Sequence, residues 1–494
     1  MTTDVPAVAD TTGAQLREIL AAAAAAAGEL ATRTPAELAE WLAAAAAALD
    51  AEADTLLPLA EAESHLPARP RLAGELARTT FQLRFFGNLL REGAHLGATI
   101  DHADPDWPMG ARPDIRRTHV PFGPVLVFAA SNFPFAFSVA GGDTASALAA
   151  GCPVILKAHP GHPRLSALTG RIVRDALAKA GAPEGTFAVV HGVEVGVTAL
   201  RDPRISAASF TGSVPGGRAL FDIAAARPVP IPFYGELGSV NPVVVTPGAV
   251  RERGAAVVSG YVGSFTLGAG QFCTKPGLLF LPADHGLDAE LAEAAGAVRA
   301  QPLLNEHIAG GFASGLDKLR AQPGSTVLAA DPTGDASAPR PTLISVSGKD
   351  FAAHIDVLRA ECFGPASVVV SYADTAELLD LLAGLEPSLT ATIQGQPDEA
   401  ELVNTVLPPL SRLAGRILWN EWPTGVTVSW AQQHGGPYPA TTAPGTTSVG
   451  AAAISRFLRP VAWQGFPPTF LPPALRDDNP WKVPQRVDGE LRLP

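Results

Sequence analysis

Apolar positions fall at helical spacing over the first part of the chain. Between residues 12 and 94 alanine, leucine, glutamate and arginine dominate, with Pro35, Pro58 and Pro67 as breaks, which predicts a helical section. The Ala21–Ala27 run inside it has the look of a signal-peptide core. Alanine, however, is a strong helix former and only weakly apolar, and Asp10, Glu18, Glu29 and Glu37 surround the run. Leu16, Ile19 and Leu20 before it, and Trp41–Leu49 after it, predict two helices of a globular protein. Residues 101–120, DHADPDWPMGARPDIRRTHV, lose the pattern and read as an extended arm.

From Pro121 the period changes. Pro121–Ala130 is a β-branched apolar run, followed by an SNFP turn and a small-residue helix, Val139–Ala150. Cys152–His159 reads as a second strand, Ser166–Ala180 as a helix and Gly185–Gly192 as a third strand. ISAASFTGS, a glycine-rich helix start and PVVVTP come next. Such alternation predicts an α/β protein with a parallel, doubly wound sheet. After Cys273, GLLFLP, PTLISV, ASVVVSYA and LTATIQG repeat it more loosely, as in a second α/β domain. Gly435–Pro494, rich in Pro, Gly and Thr, reads as an arm or edge strand.

Composition narrows the function classes. The chain has 494 residues, 47% of them hydrophobic, enough for two or three cored units. A net charge of −12 with no basic block argues against a nucleic-acid surface. No apolar run approaches the roughly 20 residues that a membrane span needs. Cys152, Cys273 and Cys362 are odd in number, far apart and without CxxC spacing. That fits a reducing, cytoplasmic setting rather than a disulfide framework or a cysteine zinc site. His159 and His162 form an HxxH with no acidic partner nearby, so a solvated loop pair is expected there, and no metal.

Several short stretches carry candidate chemistry. FTGSVPGG (Phe210–Gly217) follows a strand-like segment and opens a helix, where Gly212, Ser213 and Gly217 either receive a phosphate or simply cap the helix. Lys157 of KAHP ends a strand and is either a crevice ligand or a solvated cation. Glu236 of ELGSVNP, at the junction of the two α/β sections, is a general base or a surface carboxylate. Asn132 of SNFPF donates to an oxyanion or caps a helix. GQFCTKPG (Gly270–Gly277) sets Cys273 in a glycine-bounded turn, which suits an exposed nucleophile, although a structural thiol remains open.

In this order, and with ECFGP (Glu361–Pro365) further on, these stretches resemble the aldehyde dehydrogenase superfamily. The phrases ASNFPFAFSVAGGDTASALAAGCPVILKAHP, FTGSVPGGRALFDIAAARPVPIP, LGAGQFCTKPG, HGGPYPATT and RFLRPVAWQ resemble its α-ketoglutarate semialdehyde (2,5-dioxovalerate) dehydrogenase branch. The resemblance implies a Rossmann-type cofactor domain from residues 1–100 and 120–238 and a catalytic domain over 239–440. It assigns 101–119 and 441–494 to an oligomerisation arm and C-terminal segment, in a homodimer or homotetramer.

Cys273 would then be the nucleophile, Glu236 the base that activates water, and Asn132 with the Cys273 N–H the oxyanion donors. Lys157, Gly212, Ser213, Gly217, Gly238, Glu361 and Phe363 would hold the dinucleotide. Pro160 stands where NAD-preferring relatives commonly have a ribose-binding glutamate, so NADP is the expected cofactor, with NAD accepted. Phe133, Phe137, Trp422 and Trp430 would line an aldehyde tunnel. Arg456 and Arg459 read as surface or arm residues. The expected reaction is oxidation of 2,5-dioxovalerate to 2-oxoglutarate, with a medium-chain or aromatic aldehyde, or a non-catalytic role on the same fold, as alternatives. A cysteine hydrolase is disfavoured because no histidine stands in a recognisable partner motif.

Overall fold

The computed structural model describes residues 8–330, 335 and 337–494, so the first seven positions of the expected cofactor domain lie outside the described residues. The helical section forms as the pattern predicts. Thr12 and Thr34 open the helices Gly13–Leu30 and Pro35–Ala51 with reciprocal caps to Gln15 and Glu37, and Pro35 sits in the first turn, where its missing N–H costs nothing. Leu16, Leu20, Ala23, Ala26 and Leu30 form the buried stripe of the first helix, so the alanine run is a thin packing face. The glycine at Gly185 lets this helix approach closely, because a Cβ there would lie 2.3 Å from the Ala22 carbonyl oxygen. Among the described residues no helix is long and apolar enough to cross a membrane.

The first sheet runs Phe187–Val190, Val154–Lys157, Val125–Phe128, Ala207–Thr211 and Phe233–Glu236, all parallel. Its register pairs Phe128 with both Lys157 and Phe210, and Thr211 with Glu236, so these strands end along one edge of the sheet. In an open parallel sheet that carboxyl edge is where ligands bind.

The second sheet has seven strands in the order Thr326–Ala329, Thr342–Ser347, Ala366–Tyr372, Leu278–Pro282, Pro242–Val245, Ser388–Gln394 and Ala414–Trp419. Only its Thr326–Ala329 edge is antiparallel. The arm and the C-terminal segment meet in a third sheet within the same chain. There Leu458–Gln464 pairs with Ile115–Pro121, and Ala98–Asp101 with Gln485–Val487.

Two expectations are corrected by burial. His162 is not solvated: it is 1% exposed, with Nε2 3.1 Å from the Ala130 carbonyl oxygen and Nδ1 3.1 Å from Ser166 Oγ. Backbone partners inside the cofactor-side core supply what water would have supplied. Arg456 is not a surface cation either. It is 2% exposed and pairs with Asp143 at the start of the helix Gly142–Ala149. Asp143→Ala would strand a buried guanidinium, a change that typically costs about 3–5 kcal/mol. Urea unfolding of that variant is expected to show a loss of this size, against a few tenths for removal of an exposed partner such as Asp50, which pairs with Arg84.

Candidate active site

The cysteine loop is built by left-handed backbone. The helix Pro247–Thr266 stops at Leu267, and Gly268, Ala269 and Gly270 all take φ between +55° and +68°. At Gly270 a Cβ would stand 2.2 Å from the Gly364 carbonyl oxygen, so the GQFCTKPG and ECFGP turns touch backbone to backbone. Two buried side chains clamp them. Lys275 Nζ donates to the Cys362 and Ala366 carbonyls at 2.7 and 2.8 Å, and burial pulls its pKa down. Asn241 Nδ2 donates to the carbonyls of Cys273 and Lys275, both at 2.9 Å, while its Oδ1 accepts from Ser239 and Thr390. Both clamps lie inside motifs legible in the sequence, though neither was singled out there.

Glu236 ends the last strand of the first sheet and is 4% exposed. Its Oε1 lies 2.9 Å from His434 Nε2, and its Oε2 accepts from Ser448 Oγ at 2.7 Å. His434 Nε2 is in turn 3.5 Å from Cys273 Sγ, so thiol, imidazole and carboxylate converge within 4.8 Å. No recognisable partner motif marks a histidine in the sequence, yet the fold sets His434 against Cys273. His434 stands 161 residues after Cys273, so no local spacing announces it.

It arrives because the following segment is stitched to the strand end. Thr441 bridges Glu236, and Leu237 N–H donates to the Ala440 carbonyl at 2.8 Å. The one sequence signal was the glycine pair after the histidine, in HGGPYPATT. A Cβ at Gly435 or Gly436 would meet the carbonyl of Thr446 or Ser388 at 2.8 or 2.5 Å. Ser448 comes from the segment expected to belong to the arm.

The electrostatics separate the two acids. Burial pushes the Cys273 thiol well above its ordinary pKa, and the Glu236 charge pushes it further. Burial also acts to raise Glu236, but the charge of His434 and hydrogen bonds from His434, Ser448 and Cys273 hold its carboxyl below the usual value. His434 Nδ1 is buried without a partner among the described residues. Nε2, 2.9 Å from a carboxylate oxygen, donates its N–H to Glu236. The site thus holds a protonated thiol beside a carboxylate.

Asn132 Nδ2 donates to the Gln271 carbonyl at 3.0 Å, which sets the amide against the cysteine loop. Phe133 stacks edge-on with Phe137 and with Phe272, each pair 5.2 Å between centroids, and Phe137 lies 6.3 Å from the His434 ring. Trp422 and Trp430 have packing partners of their own. Trp422 packs on Tyr261 and over Gly260, whose missing side chain makes room for the indole. Trp430 is 55% exposed and rests on Phe85.

At the carboxyl edge, Ser213 caps the helix Val214–Ala225 by accepting from Gly216 N–H. The Gly212 N–H donates to the Glu236 carbonyl, and Gly217 admits the Leu237 side chain, which a Cβ would meet at 2.0 Å. Gly238 lies against Glu361, with a Cβ position 2.6 Å from Oε2. Burial raises the Glu361 carboxyl to about 7, opposed by Lys275 and the Ser239 N–H. Phe363 is partly buried in the same ECFGP turn. Lys157 is 8% exposed, and burial lowers its pKa while Asp10 acts against this. Its stem crosses Gly196, where a Cβ would lie 2.9 Å from Cγ. A helix N-terminus, a lysine and a sparsely bonded carboxylate along one sheet edge suit a dinucleotide: backbone N–H groups for phosphate, acceptors for ribose.

A profile of the aldehyde dehydrogenase family matches residues 2–311. Alpha-ketoglutaric semialdehyde dehydrogenase 2 of Azospirillum brasilense is 46% identical over 446 residues, 89% of this chain and 85% of its own. Alpha-ketoglutaric semialdehyde dehydrogenase of Acinetobacter baylyi is 43% identical over 437 residues, 88% of this chain and 83% of its own. Among solved structures, methylmalonate-semialdehyde dehydrogenase from Oceanimonas doudoroffii superposes with a TM-score of 0.78 at 20% identity, covering 93% of this chain and 92% of that one. 1-Pyrroline-5-carboxylate dehydrogenase from Thermus, with bound NAD, gives 0.76 at 20% identity over 92% and 86%. Fold, extent of match and identity agree: the chain belongs to the aldehyde dehydrogenase family and is an oxidoreductase acting on aldehydes with NAD(P).

Proposed function

We propose that this protein oxidises 2,5-dioxovalerate to 2-oxoglutarate, with Cys273 as nucleophile and NADP as preferred cofactor. The observation that carries the chemistry is the contact chain from Cys273 through His434 to Glu236. The substrate follows the names of the two relatives at 46% and 43% identity.

Glu236 takes the thiol proton, and His434 Nε2–H faces the thiolate that results. Sulfur attacks the aldehyde carbon, and the carbonyl π pair moves to oxygen. The Asn132 amide and the Cys273 N–H meet that oxyanion; losing one such donor costs about 3–4 kcal/mol of transition-state stabilisation. A dinucleotide held by Lys157, Gly212, Ser213, Gly217, Gly238, Glu361 and Phe363 would supply the hydride acceptor for the oxidation that leaves a thioester on Cys273. Glu236, having released its proton, then takes one from water as the water oxygen attacks the thioester carbon, and the Cys273 thiolate departs.

Phe133, Phe137 and Phe272 make one wall of this space apolar. That observation favours a hydrophobic medium-chain or aromatic aldehyde as the second reading. Homodimer or homotetramer assembly is also proposed, supported by the Leu458–Gln464 strand at an edge of its sheet.

For the cofactor, Pro160 is exposed beside Lys157 and offers no carboxylate to a ribose 2′-hydroxyl. Arg164 is held by Glu63, with Nε 3.1 Å from Oε1, which leaves Lys157 as the main cation for a 2′-phosphate.

Cys273→Ala is expected to abolish turnover while retaining dinucleotide affinity by fluorescence titration. Glu236→Gln should give at most a slow burst of about one reduced cofactor per site and then stall; steady turnover would remove Glu236 from deacylation. His434→Gln should slow alkylation of Cys273 by iodoacetamide about tenfold near pH 7 and move its pH midpoint upward, because the thiolate loses a donor. An unchanged alkylation profile would leave His434 a purely structural residue. The wild-type kcat/KM ratio for NADP over NAD is expected above one, and Pro160→Glu to reverse it by repelling the 2′-phosphate. A wild-type preference for NAD at low salt contradicts the assignment.

A further inference from the structure

A charge count around the Phe133–Phe137 turn leaves one cation over. The helix Ala73–Glu92 passes this turn carrying Glu75 and Arg78. Glu75 is 2% exposed and fully committed. Its Oε2 accepts from Arg71 Nη1, and its Oε1 accepts the N–H groups of Phe135 and Ala136 at 2.8 and 2.9 Å. Arg71 Nη2 donates to the Asn132 carbonyl, 3.1 Å away, so both its terminal nitrogens have acceptors, and its guanidinium lies over the Phe133 ring. That ion pair is closed.

Arg78 has nothing equivalent. Both Nη1 and Nη2 are shielded from solvent, and no described residue accepts a hydrogen bond from either. The guanidinium carbon stands 5.2 Å from the centroid of Phe137, the ring that lies 6.3 Å from His434 on its other contact. One aromatic ring therefore separates this cation from the imidazole that touches Cys273. Burial lowers the Arg78 pKa, while the charges of Glu75, Cys273 and Glu236 act the other way, so the guanidinium lies within the field of the site. An arginine remains charged at neutral pH even so.

The terminal nitrogens of two other arginines near the site have acceptors, although Arg416 Nε is buried without one. Arg416 Nη2 donates to the Pro423 and Gly425 carbonyls, and Arg456 pairs with Asp143. Glu236 is not the missing partner of Arg78, because His434 and Ser448 take its two oxygens. A buried guanidinium with two empty donor nitrogens is costly to a folded chain unless an anion comes to it. A carboxylate fits that fork with two parallel N–H···O bonds.

We propose that Arg78 is the residue that binds the carboxylate of a semialdehyde substrate. The short carbon chain lies along Phe137, with the aldehyde carbon at Cys273 and the acid end on the guanidinium. This rests on Cys273 being the nucleophile, and it turns the apolar wall into a spacer between two polar ends. The substrate class is then an aldehyde whose other end is a carboxylate, not an alkanal.

The test compares Arg78→Met with wild type on two five-carbon aldehydes, 2,5-dioxovalerate and pentanal, in the presence of NADP. The ratio of kcat/KM for the semialdehyde over pentanal is expected to fall about 100-fold, carried by the KM of the semialdehyde. Arg78→Lys keeps the charge without the fork and should lose less, again in KM. Glutarate, used as a dicarboxylate probe, should compete with pentanal in wild type, weaken with added salt, and lose its hold on Arg78→Met. A ratio that stays at the wild-type value in Arg78→Met, or glutarate inhibition that survives the substitution, overturns the proposal. Failure of the underlying reading would look different: Cys273→Ala would still oxidise both aldehydes.

Discussion

A carboxylate that is 4% exposed stays ionised only if the fold supplies what water no longer does. Glu236 meets that requirement through His434 and Ser448, and much of the architecture follows from delivering them. The first sheet must end at Glu236, the 434–448 segment must turn back across it, and the Thr441 bridge must hold the segment in register. Cys273 then inherits its environment. Its thiol sits beside a carboxylate in a dry site, which keeps sulfur protonated until a base takes the proton.

The same demand recurs wherever this chain buries charge, and each answer binds two parts of the fold. Lys275 spends its donors on the backbone of the ECFGP turn, which joins the nucleophile loop to the segment carrying Glu361. Arg456 and Asp143 tie the C-terminal region to the first sheet's helical layer. Glu75 fastens the Phe135–Ala136 backbone to the N-terminal helices. Arg78 differs from these in having both terminal nitrogens buried without an acceptor among the described residues.

What was legible in the sequence was what is contiguous in it. Strand ends, the glycine-bounded turn of Cys273, the FTGS helix start and the Glu236 junction are local patterns, and the resemblance drew them together. Residues supplied from far along the chain were not legible. Arg78 and Arg84 sit on one helix in similar surroundings of sequence, yet Arg84 is an exposed partner of Asp50 and Arg78 is shielded beside Phe137. His162 read as a loop histidine and His434 carried no signal of its own, and burial and partners set both apart. Residue type alone does not say which neighbour an indole will cover; here Trp422 covers Gly260 and Trp430 rests on Phe85.

The stitching of 434–448 onto the end of the first sheet sets an order on biosynthesis. Cys273 and Glu236 emerge from the ribosome long before His434 and Ser448, so for most of translation the carboxylate lacks its partners. A nascent chain at that stage carries an ordinary thiol, and a product truncated before residue 434 would never acquire a paired one. The buried carboxylate thus acquires its two partners only when nearly the last part of the polypeptide has been made.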